Sequence, residues 1–212
     1  MPPTDGLFFV ETFQSGMGAW SLSSAADYAG QPVSLAAADL PAPFDQDKGL
    51  LLEKEMKRYG VAAPFASPLD VTDKPFVLQY EVELTGGLTC GGAYLKVLAS
   101  TDELDVAKLD GETPYVIMFG PDKCGDTNKV HFIFRHQNPV SGAWEEKHLK
   151  SPPSPKTDKK AHVYTLVVRP DNEYEIFIDG ASQKKGSLLE VTDDANDDTE
   201  RARVHTNRNE KN

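Results

Sequence analysis

The sequence predicts an all-β protein built as an antiparallel sandwich. Short segments of alternating apolar and polar residues recur along the chain, residues that favour turns separate them, and no convincing long helix is present. Many short strands at regular spacing are typical of two packed antiparallel sheets. One face of such a sheet commonly stays in water, where it can serve as a binding surface.

The clearest strand is predicted at residues 76–84. Its aromatic and aliphatic residues fall on one face, because successive side chains of a strand point to opposite sides. The polar Gln79, Glu81 and Glu83 fall on the other face, which is therefore expected to be wet. The pair Gly86–Gly87 then favours a turn.

Six further strands are predicted, in chain order, at residues 93–98, 115–119, 130–136, 144–148, 162–168 and 174–178. The turn signals that end four of them are Gly120–Pro121–Asp122, Asn138–Pro139, Pro170–Asp171–Asn172 and Asp179–Gly180. Strand 144–148 is the expected hairpin partner of strand 130–136. In strand 93–98, Tyr94 and Lys96 share one face.

The connections have different compositions. Residues 101–113 are acidic and are expected to form a loop with a short helical turn, whereas residues 149–160 are rich in Pro, Ser and Lys and indicate an exposed loop. The segment 191–212 has almost no apolar content, which predicts a disordered polar tail. The predicted organisation is one folded domain at residues 1–190 followed by that tail.

Charge and hydropathy narrow the function classes. The formal net charge of -11 disfavours nucleic acid as a partner, because an acidic surface repels phosphate backbones. No apolar run approaches the 18 or so residues that a membrane helix needs, so no membrane span is expected. The chain shows neither a secretory signal peptide nor a C-terminal retention tetrapeptide.

The two cysteines, Cys90 and Cys124, leave two alternatives open. In an oxidising compartment they would form one disulfide, and in a reducing one they would be two buried thiols. Spacing alone does not decide between these alternatives.

A glycoside hydrolase is the enzyme alternative, since such enzymes also use sandwich folds and need two facing carboxylates. Glu81 and Glu83 share a strand face, as do Glu173 and Glu175. Neither pair lies in a hydrolase signature, and alternating acids on a wet strand face are usually solubilising. We therefore expect no enzymatic activity.

Several motifs point to a known family. They are Asp47–Lys48–Gly49–Leu50, the Cys-Gly-Gly-Ala-Tyr-Leu-Lys run at 90–96, the Pro-Tyr-Val-Ile-Met-Phe-Gly-Pro-Asp-Lys-Cys-Gly run at 114–125, Phe134–Arg135–His136, Glu145–Glu146–Lys147–His148 and Arg169–Pro170–Asp171–Asn172. Together they resemble the calnexin and calreticulin family of lectin chaperones, and the calnexin branch more than the calreticulin branch. The resemblance covers roughly residues 7–190, and the run at 114–125 is highly specific.

The resemblance implies a jelly-roll sandwich like that of the legume lectins and a disulfide between Cys90 and Cys124. It also implies residence in the endoplasmic reticulum lumen. The family binds the single terminal glucose on high-mannose N-glycans of folding glycoproteins and holds a structural Ca²⁺. The expected function is therefore that of a calcium-dependent lectin chaperone.

Residue by residue, the resemblance puts the sugar contacts at Tyr94, Lys96, Tyr115, Met118 and Glu146. Lys96 can donate to sugar oxygens and Glu146 can accept from two adjacent hydroxyls. Tyrosine offers a flat apolar surface with a polar tip, and methionine an adaptable apolar contact. Tyr115 and Met118 are three residues apart, so a regular strand would separate them. A bulge, or unequal distances from the sugar, must reconcile them.

The calcium ligands that the resemblance implies are Thr12 and Asp47, with a third acidic ligand beyond the end of the similarity. Oxygen ligands suit this ion. The histidines His131, His136, His148 and His162 show no zinc spacing with a cysteine and are interpreted as structural.

The family continues, after the region matched here, into a proline-rich arm and a segment that completes the globular domain. We expect this chain to be a truncated version whose sandwich is incomplete at its C-terminal edge. Sugar binding would then be weakened or lost, and the oxidoreductase that the arm recruits is not an expected partner. The alternative function is sugar-independent binding of unfolded polypeptides, and a non-functional fragment is the remaining possibility.

Overall fold

The computed structural model describes residues 5–37 and 47–190, together with the backbone of Asp193 and Asp194. Within these residues the strands are β1 Ser21–Leu22, β2 Val33–Ala36, β3 Gly49–Leu52, β4 Val61–Ala62, β5 Phe76–Glu83, β6 Cys90–Gly92, β7 Leu95–Leu98, β8 Tyr115–Cys124, β9 Thr127–Gln137, β10 Trp144–His148, β11 Ala161–Val168, β12 Glu173–Ile178, β13 Ala181–Ser187 and β14 Asp193–Asp194. A single turn of 3-10 helix at Val106–Lys108 interrupts the acidic loop, as predicted.

Two antiparallel sheets dominate the fold, which confirms the predicted class. The front sheet has the strand order β14-β10-β9-β8-β6, with β7 also paired to β8. The back sheet has the order β13-β12-β11-β5. Two small ladders, β1 with β4 and β2 with β3, come from the first third of the chain.

The core lies between these two sheets because each contributes the apolar half of its alternating pattern. Its buried members are Phe119, Val130, Phe132, Leu149, Tyr164, Leu166, Tyr174, Ile176 and Ile178. In β5, Leu78, Tyr80 and Val82 pack against this cluster, whereas Val77 on the opposite face is exposed. The alternation of residues 76–84 therefore correctly predicts which side chains of β5 face the core and which face solvent.

Strand β8 continues beyond its predicted end at Phe119, through Gly120 and Pro121, to Cys124. A proline normally interrupts a central strand because it has no N–H to donate. Here the carbonyl of Pro121 still accepts from the N–H of Ala93 at 3.0 Å. The carbonyl of Ala93 accepts a hydrogen bond at 2.5 Å from the hydroxyl of Tyr80, in the opposite sheet. A side chain thus supplies the donor that Pro121 lacks, at the point where the ladder to β8 breaks between β6 and β7.

The remaining differences concern segments with weak local patterns. Strands β6 and β13 were not predicted, since their sequences contain glycines or many polar residues. The short strands β1 to β4 and β14, of two to four residues each, were not predicted either. The hairpin turn at Asp179–Gly180 is confirmed, with positive φ angles of 53° and 75°. The connection at 149–160 is irregular as predicted, although Leu149 at its start is buried in the core rather than exposed.

The predicted tail is only partly covered by the structure. Asp193 and Asp194 form β14, which pairs with His148 and Lys147 at the edge of the front sheet. The rest of residues 191–212 lies outside the described residues, so the tail remains a prediction. Among the described residues, the structure has no helix with the length and apolar character needed to cross a membrane.

Candidate functional site

The outer face of the front sheet gathers the five residues expected to contact sugar. Lys96 on β7 lies directly opposite Met118 on β8. The register then shifts, so that Leu98 pairs with Tyr115 and β8 has one extra residue at this point. This bulge is one of the two explanations that the spacing of Tyr115 and Met118 left open. Cross-strand partners share a face, so the bulge brings Tyr115 to the same side as Lys96 and Met118.

Strand β10 contributes the fourth residue. Glu146 pairs with Arg135 of β9, whose neighbour on the same face, Ile133, lies opposite Met118. The hydroxyl of Tyr115 crosses the face of β9 and donates to Oε1 of Glu146 at 2.8 Å. Residues 31 positions apart in sequence are thereby joined by a charge-assisted hydrogen bond.

Lys96 completes this arrangement from the other side. Its Nζ lies 4.9 Å from the centre of the Tyr115 ring, within the range of a cation–π contact. Burial lowers the pKa of Lys96, opposed by the negative charges of Glu146, Asp110 and Glu112. A partly desolvated ammonium next to an acceptor forms stronger hydrogen bonds than one in free water.

The pKa values of Glu146 and Tyr115 are shifted in opposite directions. The neighbouring imidazole of His148 lowers the pKa of Glu146 against the effect of burial, and the Tyr115 hydroxyl lowers it further. Burial and the adjacent carboxylate raise the pKa of Tyr115. Glu146 is therefore a charged acceptor at neutral pH and Tyr115 a neutral donor. Lys96, Tyr115 and Glu146 can together present both donors and acceptors to the hydroxyls of a sugar.

Tyr94 occupies a different part of the same sheet. It lies in the break between β6 and β7, with its ring over Gly92, where a Cβ atom would collide with it. The edge of the ring meets His131, with the ring centres 5.9 Å apart at 88°. Tyr94 follows β6 directly and lies towards the disulfide end of the sheet.

Sequence reasoning missed two residues beside Tyr94. His131 is only 5% exposed, and its Nε2 lies 2.8 Å from Oδ2 of Asp122. Asp122 is paired with Gly92 on one side and Lys129 on the other. The interpretation of His131 as structural fits this contact, since the pair supports the ring of Tyr94. The alternation of His131 with the buried Val130 and Phe132 was the signal that could have identified it.

The disulfide between Cys90 and Cys124 is formed, which resolves the alternative left open by the sequence. The two residues are direct cross-strand partners on β6 and β8, with Cα atoms 4.0 Å apart. The bond fixes the short strand β6 to the sheet, and β6 leads directly into Ala93 and Tyr94. The disulfide therefore helps to hold Tyr94 in its place on the sheet.

The two expected calcium ligands also come together. The carbonyl of Thr12, Oδ1 of Asp47 and the carbonyl of Lys48 converge on a single atom, Nε2 of Gln14, at 2.7, 2.8 and 3.1 Å. Three oxygens around one point are part of the hard donor set that Ca²⁺ requires, although the ion takes six to eight ligands. Among the described residues, no group of three or more His, Cys, Asp and Glu side chains could hold a metal by itself. The residues present therefore supply part of the ligand set of a calcium site. The amide nitrogen of Gln14 lies where the ion would bind.

Comparisons with known proteins bear on the family of the chain. The Calreticulin family model matches residues 9–207. A calnexin homolog of Helianthus tuberosus is 46% identical over 191 residues, covering 90% of this chain and 34% of the relative. Calmegin of Homo sapiens is 42% identical over 204 residues, covering 89% of this chain and 33% of the relative. The chain thus spans about a third of the length of these relatives.

A solved structure gives the same result for the fold. The T. cruzi calreticulin globular domain superimposes with a TM-score of 0.76 at 36% sequence identity. The match covers 87% of this chain and 66% of that domain.

Proposed function

Because the chain belongs to the calreticulin family, we propose that it is a lectin-type chaperone domain that binds monoglucosylated high-mannose N-glycans on folding glycoproteins in the lumen of the endoplasmic reticulum. The observation that carries this proposal is the convergence of Lys96, Tyr115 and Glu146 on one face of the front sheet. These groups are a cation, a neutral hydroxyl and a carboxylate; the Glu146 side chain is 40% exposed, Lys96 is half-buried and Tyr115 is buried.

The sugar would lie against the apolar floor of the same face. Met118 is half-buried there and would offer C–H surface to one side of a pyranose ring, with its buried cross-strand partner Ile133 beside it. Lys96 would donate to ring hydroxyls, Glu146 would accept from them, and the Tyr115 hydroxyl would hold the carboxylate in place. Fixed acceptors and donors of this kind bind a matching ligand more tightly than an analogue that leaves one of them unpaired.

Tyr94 would act at a second position on this face. Its ring is held by Gly92 beneath and by His131 at its edge, so its orientation is set before any ligand arrives. A pre-oriented ring loses little conformational entropy when a sugar stacks on it.

Calcium would have a structural role away from the sugar face. Thr12, Asp47 and Lys48 would supply oxygens to the ion after the amide of Gln14 has moved aside. The ion would tie the segment around Thr12 to the start of β3, since these ligands lie more than thirty residues apart. No step of sugar recognition needs to pass through the metal.

The test is calorimetric titration of the oxidised chain with a monoglucosylated oligomannose, with and without Ca²⁺. Lys96→Ala should abolish measurable binding, because it removes the cation of the site. Lys185→Ala, which changes an exposed lysine of β13 in the back sheet, is the matched control and should bind as the unaltered chain does. Equal binding by both variants, or none by the unaltered chain, would contradict the proposal.

A second candidate function is favoured by the surface near the N-terminus. Phe8 and Phe9 remain 51% and 40% exposed, and each lies 5.3 Å from the ring of Phe65. Leu7 and Val10 extend this exposed apolar surface. Contiguous apolar surface of this kind is a feature of protein-binding sites. It would suit sugar-independent binding of unfolded polypeptides.

The two functions can be separated with a non-glycosylated client. Replacing Phe8 and Phe9 by Ser should reduce suppression of the client's aggregation, whereas Lys96→Ala should not. Loss of suppression on adding competing sugar would argue against a separate polypeptide-binding surface.

A further inference from the structure

A cavity of about 150 Å³ lies at one edge of the sandwich and shares no residue with the candidate sugar site. It lies between β13, the outermost strand of the back sheet, and the residues that follow β10 in the front sheet. Lys150, Lys184 and Lys185 all line it, although the chain has a formal net charge of -11. Positive charge is therefore concentrated at this point against the overall composition.

Protection of an edge strand explains only part of this cluster. Lysines on such a strand often serve to prevent pairing with another chain, and the exposed Lys185, opposite Glu175, fits that role. Lys184 does not, because its cross-strand partner is the buried Ile176 and partners share a face. Lys184 is half-buried, and no carboxylate oxygen of the described residues lies within 4.0 Å of its Nζ.

Two hydroxyl groups at the cavity wall can donate to a ligand. Tyr174 is 2% exposed, and its hydroxyl has no hydrogen-bond partner in the part of the chain that the structure describes. Gly186 leaves room for this group, since a Cβ there would lie 3.0 Å from the Tyr174 oxygen. Burial raises the pKa of Tyr174, so the hydroxyl keeps its proton. The hydroxyl oxygen of Ser187 accepts from the N–H of Leu189 at 3.3 Å, which leaves its own proton to donate.

We propose that this cavity binds the phosphate group of a phosphomonoester. Lysine ammonium groups form charge-assisted hydrogen bonds with phosphate oxygens, and a phosphomonoester carries close to two negative charges at neutral pH. Three lysines match such a charge better than that of a single carboxylate. The hydroxyls of Tyr174 and Ser187 would donate to the remaining oxygens. This site is independent of the proposed sugar binding.

The size and shape of the cavity fit this ligand. Its volume corresponds to about five water molecules at roughly 30 Å³ each, which is room for a phosphate group. Lys150, Lys185 and Glu190 are exposed, so the cavity is open to solvent on their side. The organic substituent of the ester would extend through that opening. Glu190 opposes an anion there, which gives a variant of opposite sign.

Titration with methyl phosphate and with inorganic phosphate tests the site directly. Each is added to the oxidised chain at constant ionic strength, and binding is followed by the amide NMR signals of Gly186 and Ser187. Both ligands should shift these signals, with affinities within about threefold of each other. Binding of inorganic phosphate alone would overturn the monoester assignment, and binding of neither would overturn the site.

Three variants test the assigned groups. Lys184→Ala should weaken methyl phosphate binding by about tenfold, and Tyr174→Phe, which removes only the hydroxyl, by about threefold. Glu190→Gln should strengthen binding by about threefold, a gain that impaired folding could not produce. Unchanged affinity in all three variants would show that the phosphate binds elsewhere.

Two further measurements separate a built site from general attraction by charge. Lys57→Ala removes an exposed lysine between β3 and β4 and should leave the affinity for methyl phosphate unchanged. A loss equal to that of Lys184→Ala would overturn the proposal. Lys184→Ala should also bind a monoglucosylated oligomannose as the unaltered chain does. A matching loss of oligomannose binding would contradict the independence of the two sites, whereas failure of sugar binding in the unaltered chain would leave the phosphate titration intact.

Discussion

The hydroxyl of Tyr80 lies 2.5 Å from the carbonyl oxygen of Ala93 and joins the two sheets of the sandwich at a polar contact in their core. The contact depends on Gly120, because a Cβ at that position would overlap the Tyr80 hydroxyl and the Ala93 carbonyl. Burial raises the pKa of Tyr80 well above its usual value, so the hydroxyl remains a donor at any physiological pH. The break between β6 and β7, where Tyr94 lies, is therefore held by a residue of the opposite sheet.

Gly120→Ala should consequently destabilise the fold. The new methyl group meets Tyr80 and Ala93, and the φ of +144° is one that an L side chain rarely adopts. We expect the free energy of unfolding to fall by about 2–4 kcal/mol in chemical denaturation.

Two other glycines provide controls for this substitution. Gly49→Ala places a methyl group in open space and should change stability by less than about 0.5 kcal/mol. Gly125→Ala also meets nothing within 4 Å but has a φ of +56°, so it isolates the cost of the backbone conformation. A Gly120 variant no less stable than the Gly125 variant would show that the steric account is wrong.

The hydrogen bond between Tyr115 and Glu146 should couple these residues energetically. In a double-mutant cycle, Tyr115→Phe and Glu146→Gln should show a coupling of about 1–2 kcal/mol in the free energy of sugar binding, as expected for a charge-assisted bond on a half-buried face. The measurement is calorimetric titration of the two single variants, the double variant and the unaltered chain. Strictly additive losses would mean that the two residues contact the ligand independently.

His162 should make stability depend on pH. Its Nδ1 and Nε2 each lie 2.7 Å from a carboxylate oxygen, of Asp179 and Asp158 respectively, so both nitrogens must carry protons to donate. Burial alone would lower the pKa of His162, but hydrogen bonds to Asp158 and Asp179 raise it overall. The pKa of Asp158 is lowered, chiefly by the hydrogen bond from His162.

The directions of these two pKa shifts determine how the stability of the fold depends on pH. The contribution of His162 to stability is complete below its ordinary pKa of about 6.5. It is lost as the pH rises through the raised pKa of His162 in the folded chain. The contribution of Asp158 is present above its ordinary pKa of about 3.9 and is lost in acid. His162→Gln should thus cost most stability near pH 5–6 and progressively less towards pH 9. His136→Gln, at an exposed position of β9, is the control. A stability loss in the His162 variant that is constant over this range would refute the charged interpretation.

Reduction of the disulfide should weaken the fold. Cys90 and Cys124 are 34 residues apart, and closing such a loop stabilises a chain by about 3–4 kcal/mol in the loop-entropy description. Denaturation with and without a reductant should show a loss of this order. The variant with both cysteines replaced by Ala should be as unstable as the reduced chain and insensitive to the reductant.

Gln14 should compete with calcium. Because its amide nitrogen occupies the point on which the Thr12, Asp47 and Lys48 oxygens converge, an ion must displace it. Gln14→Ala should raise Ca²⁺ affinity by about tenfold while lowering the melting temperature of the calcium-free protein. Asp47→Asn should reduce the rise in melting temperature that Ca²⁺ produces. A Gln14 variant with unchanged affinity would mean that the ion does not bind at this point.

Much of the fold could be predicted because it depends on local patterns. The alternation at residues 76–84 sets which side chains face the core, and the resulting strand β5 matches the prediction closely. Strand β10 matches the predicted residues 144–148 and pairs with β9, as expected of a hairpin partner. The turn at Asp179–Gly180 could also be predicted, since its positive φ angles select residue types within two positions. The bulge in β8 was one of two explanations for the three-residue spacing of Tyr115 and Met118, which the family resemblance had placed in one site.

The sequence by itself thus determined the class of the fold, the division of its strands into core and solvent faces, and the family resemblance that singled out the five residues expected to contact sugar. Only the tertiary structure decided which of these touch. It joins Tyr115 to Glu146 across β9, supports Tyr94 on the buried His131, and carries β8 through Pro121 with a hydroxyl from the opposite sheet. The physical reason is that such contacts link residues far apart in the chain, whose distances depend on the register and packing of whole sheets and leave no periodic signal in the sequence.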